Sequence, residues 1–447
     1  MSDHVFRKYD IRGLFKKELD ENFAEALGKA VGTYLGSGKS VCVGMDNRDS
    51  SPLLKNSLVR GLLSTGCNVI DIGTVTTPLL YYSIFLHNKD GGVMVTASHL
   101  PKEYNGFKIC KGKETIHSEE IQKVKKIMES KDYARGSGKI EKKDVIEDYI
   151  KEIKKKIRLK RKLKVIVDCG NGTGGLVAPK LLRELGCNVT ELFSEPDGNF
   201  PNHVPDPTLP EEYGVLMDIM KKGKHDLGIA YDCDCDRLGV VNEKGNMIYG
   251  DQMMILFSRE LLKKRKGEKI LIEVKCSKAL IDEVEKNGGI PIMCRTGHSF
   301  IKEAMKKENA MISGEMSGHI FFKDEYYGFD DAVYASCRLL RLISEQNKTI
   351  SELLSDAPKY YSSPEIRVKC PDEKKFLVVE EISNELKKDY EVLDIDGVRF
   401  NCNDGWGLIR ASNTEPIIVL RCEAKSKKGL KQIKELLFKK LERFGIK

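Results

Sequence analysis

Six consecutive residues, Asp232-Cys233-Asp234-Cys235-Asp236-Arg237, carry the densest chemical signal in the chain. Alternate positions bring the three carboxylates to one side of an extended segment. Carboxylates that close repel one another and call for a cation, and hard oxygen ligands suit Mg²⁺ or Ca²⁺ better than Zn²⁺. An EF-hand would use Glu243 at its twelfth position, but Arg237 stands at the sixth, where glycine is needed, and the flanks read as strands. Cys233 and Cys235 have no partner pair, so zinc is a weak reading. A second loop, Val95-Thr96-Ala97-Ser98-His99-Leu100-Pro101, ends the apolar run Gly92 to Val95. Ser98 there is placed to be a nucleophile, or else it and His99 only satisfy turn backbone. A third, Gly314-Glu315-Met316-Ser317-Gly318-His319, offers a carboxylate, a hydroxyl and an imidazole suited to a polyhydroxylated ligand. Arg410-Ala411-Ser412-Asn413-Thr414 presents a guanidinium, hydroxyls and amides fit to cradle a phosphate. Arg12 beside Gly13, Lys108 after the serine loop and His298 in Arg295-Thr296-Gly297-His298 add further charge. Each of these three also has an ordinary structural reading: a turn arginine, an exposed lysine, a satisfied histidine.

The elements that position these loops occur in a repeating order. A short strand, a helix, a Gly-led turn, a second strand and a later strand appear from Ser40, from Lys164 and from Lys269. The turns Gly66-Cys67-Asn68-Val69 and Gly186-Cys187-Asn188-Val189 are close copies. Strands alternating with helices imply mostly parallel or mixed α/β sheets. The three later strands end at Ser98, at Asp232 and at Gly314-Glu315, so like topology delivers unlike chemistry. From about Tyr360 the pattern breaks into two helices with short strands. Gly170-Asn171-Gly172-Thr173-Gly174-Gly175 matches G-x-G-x-x-G, with Glu191 some twenty residues on, which raises a nicotinamide-dependent oxidoreductase. A lone match more simply marks a turn that lets a helix pack closely.

With 447 residues the chain has room for roughly three domains at about 150 residues each. It holds 75 basic and 67 acidic residues, a net charge of +8. Both signs are spread along the chain, so a nucleic-acid partner is not expected. The densest basic stretch, Lys151 to Lys164, overlaps Ile146, Ile150, Ile153 and Ile157 at helical spacing and reads as a solvated helix face. Thirteen cysteines without a pairing framework fit reduced thiols and a cytoplasmic setting. The first residues lack an apolar signal region, and no run is long enough to span a bilayer.

Four ordered motifs together resemble the α-D-phosphohexomutases, in the phosphomannomutase/phosphoglucomutase branch. They are the serine loop, Asp-x-Asp-x-Asp-Arg, Gly-Glu-x-Ser-Gly-His and Arg-x-Ser-x-Thr-Glu-Pro. The resemblance covers essentially the whole chain. It implies three related α/β domains with mixed sheets, at 1–148, 149–248 and 249–358, and a smaller α+β domain at 359–447, around a central composite cleft. It implies that Ser98 is the phosphoserine, and that Asp232, Asp234 and Asp236 hold one Mg²⁺ with a phosphoserine oxygen. Glu315 and Ser317 would bind sugar hydroxyls, and Arg410, Ser412, Asn413 and Thr414 the phosphate that is not reacting. Arg12, Lys108, Arg237, His298 and His319 match positions tied to phosphoryl or proton transfer, and Tyr9 and Lys275 to ligand contact. His99 is expected to support the serine loop. The implied reaction moves a phosphoryl group between hexose 1-phosphate and hexose 6-phosphate, primed by a hexose 1,6-bisphosphate, in a monomer or homodimer. A phosphoglucosamine mutase is the nearest alternative, and a non-catalytic sugar-phosphate binder a more distant one. The chain departs from the family pattern at Leu100, where Asn is usual, and at Cys233 and Cys235, where glycine or alanine is commoner.

Overall fold

Each apolar run read as a strand is one. A computed structural model describes residues 3–413 and 415–446. It divides into two units, residues 1–253 with 317–355 and residues 254–316 with 356–447.

The first unit holds two sheets. One contains β1 (Ile11–Leu14), β2 (Ser40–Met45), β3 (Asn68–Thr74), β4 (Gly91–Val95), β5 (Tyr104–Lys111), β6 (Glu114–Thr115) and β7 (Ile140–Lys142). Its order is β1-β5-β4-β2-β3-β7, with β6 beside β5. The core β4-β2-β3 is parallel, and β5 returns antiparallel to β4. The other contains β8 (Lys164–Asp168), β9 (Asn188–Leu192), β10 (Leu227–Tyr231), β11 (Leu238–Val241) and β12 (Met247–Ile248), in the order β12-β11-β10-β8-β9. Here β10-β8-β9 is parallel and β11 returns antiparallel to β10. β4 and β10 are buried at every residue, as strands covered on both faces must be.

The second unit repeats the plan with β13 (Lys269–Glu273), β14 (Ile290–Cys294) and β15 (Ile312–Gly314). β13 lies parallel between β14 and β15. In each repeat the first strand (β2, β8, β13) is central, the second (β3, β9, β14) lies on one side and the later strand (β4, β10, β15) on the other. The repeat seen in the sequence is therefore a repeat of topology. β16 (Ile320–Phe322) belongs to the first unit, as does the helix Ala332–Ser344, whose N-terminal Asp331 accepts from the Tyr149 hydroxyl.

The last sheet is antiparallel. It contains β17 (Tyr361–Ser362), β18 (Ile366–Lys369), β19 (Glu391–Leu393), β20 (Val398–Cys402), β21 (Gly405–Ala411) and β22 (Ile417–Ala424). The order is β17-β22-β21-β20-β19, with β18 also on β22. Helices Asp372–Leu386 and Lys427–Glu442 bury Val378, Ile382, Ile433, Leu437 and Leu441 against it. This is the expected smaller α+β domain. All thirteen cysteines are free thiols. No described helix is long and apolar enough to cross a membrane.

Candidate active site

β4 and β10 carry the chain to Val95 and Tyr231, so Ser98 and Asp232 both lie beyond carboxyl strand ends. Ser98 has φ +51°, a left-handed conformation uncommon outside glycine. Its amide donates to Thr96 Oγ1 at 2.9 Å. Its Oγ donates to Asp232 Oδ2 at 2.7 Å and lies 3.2 Å from His99 Nδ1. Burial, then the charges of Arg237 and Arg12, push the His99 imidazole well below its usual value, so it is neutral beside the hydroxyl.

The aspartate loop is a turn, which corrects the extended segment read from alternation. The Cys235 amide donates to the Asp232 carbonyl at 3.2 Å and Cys235 takes φ +58°. Side-chain direction is set by this reversal and not by a strand's two-residue period. Asp232, Asp234 and Asp236 each bring a carboxylate oxygen into one group, all within 4.8 Å of one another and all buried. Asp234 Oδ1 and Asp236 Oδ1 have no hydrogen-bond partner among the described residues. Buried carboxylate oxygens without partners are costly, and this oxygen set fits a hard divalent cation. Burial first, then Asp236 and Asp234, pushes the Asp232 carboxyl far up. Burial also acts against ionised Asp236, but the neighbouring charges, Lys108 foremost, outweigh it and hold that carboxyl at about 2.

Lys108 is not the exposed lysine its bland reading predicts. It stands on β5 opposite Met94, and its ammonium is buried. Nζ donates to Asp234 Oδ2 at 2.7 Å and to Asp236 Oδ2. Burial pulls its pKa down, and the two aspartates more than reverse that. Asp234 also meets a helix start: the Thr77 amide donates to its carbonyl at 2.8 Å and Thr77 Oγ1 to its Oδ2 at 2.5 Å. The start of the helix Thr77–Leu86 thus bonds both the main chain and the side chain of Asp234. On the other side, Arg237 Nε donates to His319 Nε2 at 3.1 Å, and His319 Nδ1 lies 3.0 Å from Asp330 Oδ2. Arginine only donates, so His319 keeps its proton on Nδ1, facing Asp330. Arg12 Nε donates to Asp10 Oδ2 at 2.6 Å, and both Tyr9 and Arg237 act on its charge.

The glycine-rich loop is structural. Thr173 donates through its amide and hydroxyl to the Cys233 carbonyl, at 2.8 and 2.7 Å. A Cβ on Gly172 would sit 2.7 Å from the Cys233 backbone, and one on Gly175 1.7 Å from the Ser194 carbonyl oxygen. Gly172 lets the loop press against the aspartate turn, and Gly175 lets it lie against the chain that follows β9. Glu243, the EF-hand candidate, accepts from the Ser351 hydroxyl instead.

The second unit gathers its own set. Glu315, just beyond β15, accepts from the Gly297 amide at 3.0 Å. Glu273, at the end of β13, accepts from Thr296 Oγ1, and its carboxyl is raised, by burial first, against Lys275 and with Glu315. Lys275 Nζ donates to Glu365 Oε2 at 3.0 Å, and that lysine holds Glu365 at about 2. Asp396 Oδ2 accepts from Arg410 Nε and from the Thr296 amide, each at 3.1 Å. Thus loops of the third α/β repeat and of the last domain share one carboxylate. The Glu415 amide donates to Ser412 Oγ at 3.2 Å, and Asn413 is buried. His298 opens the helix His298–Glu308 and accepts at Nδ1 from Lys302 at 3.3 Å. Ser317 and His319 belong to the first unit, where Gly318, at φ +95°, lets the loop touch Leu238. Thr414 lies outside the described residues.

Sequence reasoning overlooked Asp10, Thr77, Asp330, Glu273, Glu365 and Asp396. Asp10 had a signal: it stands two residues before Arg12 where β1 begins, on the same face. The others are single acids or hydroxyls that no short motif ties to their partners.

The comparisons agree along the whole length. Residues 3–135, 147–245 and 249–361 match phosphoglucomutase/phosphomannomutase alpha/beta/alpha domains I, II and III, and residues 365–440 match the C-terminal domain of the same description. A Pseudomonas putida protein named phosphomannomutase/phosphoglucomutase is 43% identical over 439 residues, covering 98% of this chain and 95% of its own. A Neisseria gonorrhoeae phosphoglucomutase is 42% identical over 436 residues, covering 96% and 95%. The crystal structure of a phosphoglucomutase/phosphomannomutase family protein from Burkholderia thailandensis superposes with a TM-score of 0.93 at 39% identity, covering 99% and 98%.

Proposed function

The chain belongs to the phosphoglucomutase/phosphomannomutase family, and from that premise we propose how its own residues carry the reaction. It interconverts hexose 1-phosphate and hexose 6-phosphate, with mannose or glucose, or both, as the sugar. Ser98 carries the phosphoryl group. The bond between Ser98 Oγ and phosphorus breaks as a sugar oxygen takes the phosphorus, giving a 1,6-bisphosphate. The bisphosphate turns over, and its other phosphate returns to Ser98. A hexose 1,6-bisphosphate primes the serine.

One observation carries this reading: Ser98 Oγ lies 2.7 Å from Asp232, inside a buried triad with two unpartnered carboxylate oxygens. Asp232, Asp234, Asp236 and Ser98 would hold one Mg²⁺. Bound there, the ion would neutralise charge on the transferring group. Lys108 stays charged beside Asp234 and Asp236, which suits it to steady developing negative charge. His319, held between Arg237 and Asp330, can pass a proton with its ring fixed in place. Arg12 and His298 supply further charge and proton traffic. Tyr9, Lys275, Glu315 and Ser317 bind the sugar, and Arg410, Ser412, Asn413 and Thr414 hold the phosphate at rest. Met316 resembles the phosphomannomutase/phosphoglucomutase branch, since phosphoglucosamine mutases often have Gln there. Free thiols throughout support a cytoplasmic setting, and the enzyme acts as a monomer or homodimer.

The test is intact-mass analysis after incubation with glucose 1,6-bisphosphate. A species heavier by one phosphate is expected in the wild type and lost in Ser98→Ala, together with turnover. A fully active Ser98→Ala protein would overturn the reading.

A further inference from the structure

The loop after β2 has no part in the chemistry so far, yet it holds a fully buried charge. Arg48 is 1% exposed. Its Nη2 donates to the carbonyls of Ser98 and Leu100, each at 2.6 Å. Nη1 donates to the carbonyls of Pro101 at 2.8 Å and Tyr104 at 3.3 Å. Nε donates to Asp46 Oδ2 at 3.1 Å. A guanidinium has five N–H donors, and this one spends all of them on the serine loop, the first residue of β5 and one carboxylate. The serine loop is irregular, so its inward carbonyls have no ladder partners. Arg48 supplies them.

The same pair reaches the metal loop. The single S–H of Cys233 can donate to Asp46 Oδ2, 3.8 Å away, or to Asn47 Oδ1, 3.7 Å away. Asn47 Nδ2 donates to the carbonyl of Asn171, beside the aspartate turn, at 2.8 Å. One short loop therefore touches both halves of the reacting centre. The Ser98 carbonyl it grips belongs to the residue held at φ +51°, and that left-handed turn is what aims Oγ at Asp232.

We propose that Arg48, in its ion pair with Asp46, is the positioning residue that holds Ser98 in line for phosphoryl transfer. It touches no substrate and acts through the main chain of the serine loop. The proposal rests on the reading of Ser98 as the phosphoryl carrier. Lysine cannot replace arginine here, because a single ammonium cannot span four carbonyls.

The experiment compares wild type, Arg48→Lys and Lys55→Met. Lys55 forms another buried ion pair of the same domain, with Asp71 at 2.8 Å, and serves as the control for lost stability. Each protein is phosphorylated with labelled glucose 1,6-bisphosphate, and single-turnover transfer to glucose 6-phosphate is timed well below its melting temperature. Arg48→Lys is expected to slow transfer about 100-fold, with KM within about threefold of wild type, since a misplacement near 1 Å is enough for such a loss. Lys55→Met is expected to melt earlier and transfer at the wild-type rate. If Arg48→Lys does not fold, Asp46→Asn replaces it, with a loss of about tenfold expected from a looser guanidinium. Transfer at the wild-type rate by phosphorylated Arg48→Lys or Asp46→Asn overturns the proposal. So does an equal loss of rate in Lys55→Met. A wild-type protein that never accepts phosphate on Ser98 fails earlier and overturns the reading beneath it.

Discussion

At position 235 a cysteine adopts φ +58° in the middle of the aspartate turn. Glycine alone takes such a left-handed conformation without steric cost. The angle also sets the chemistry, because the turn is what gathers three carboxylates that alternation alone would merely align. Cys235→Gly is expected to keep activity. Cys235→Val is expected to lose most activity and about 2 kcal/mol of stability, as a β-branched residue is a true outlier there, and urea unfolding with a mutase assay checks both. Ser98, the aspartates and Arg237 were legible because they crowd into short segments. Lys108 was legible only as a family position, since nothing local marks a lysine on a strand as buried. Asp330 and Thr77 could not be read at all: the first matters because it faces His319, the second because a helix start meets Asp234.

At the scale of elements, the glycine-rich loop changes meaning. Its match to a dinucleotide fingerprint came from spacing, but its glycines are there to let Thr173 and Gly172 lie against Cys233. Gly172→Ala is expected to cost about 1–3 kcal/mol and to raise the Mg²⁺ concentration needed for half-maximal activity, because the added Cβ pushes on the aspartate turn. A metal titration of the variant measures it. The neighbouring strand end is held by His203, whose ring lies 3.0 Å from Asp168 Oδ1. Burial acts to lower the His203 pKa, but the bond and charge of Asp168 outweigh it and leave it raised. A raised folded pKa gives stability that is complete below the unfolded value of about 6.5 and is lost as pH rises through the folded value. The melting-temperature gap between wild type and His203→Gln should therefore be widest near pH 6 and shrink toward pH 9.

At the scale of the molecule, three sheets with the same strand order each present a different loop beyond the same strand, and a fourth, antiparallel domain adds the loop of Arg410, Ser412 and Asn413. This is economical for a reaction that needs several kinds of group, because loop chemistry can vary while the sheet stays fixed. Chelation of divalent metal is expected to abolish turnover and Mg²⁺ to restore it, in a coupled assay of mannose, glucose and glucosamine 1-phosphates with one or both of the first two as the good substrates. The sequence by itself determined the strands, the repeats and which loops carry acids, hydroxyls or guanidinium. Those follow from periodicity and turn chemistry within a few residues of each other. Only the tertiary structure decided that Ser98 meets Asp232 across 134 residues, that Lys108 lies among the aspartates, and that Arg48 grips the serine loop. Such meetings depend on how separate layers pack, and a side chain's neighbours there are set by register and burial, which no local pattern encodes.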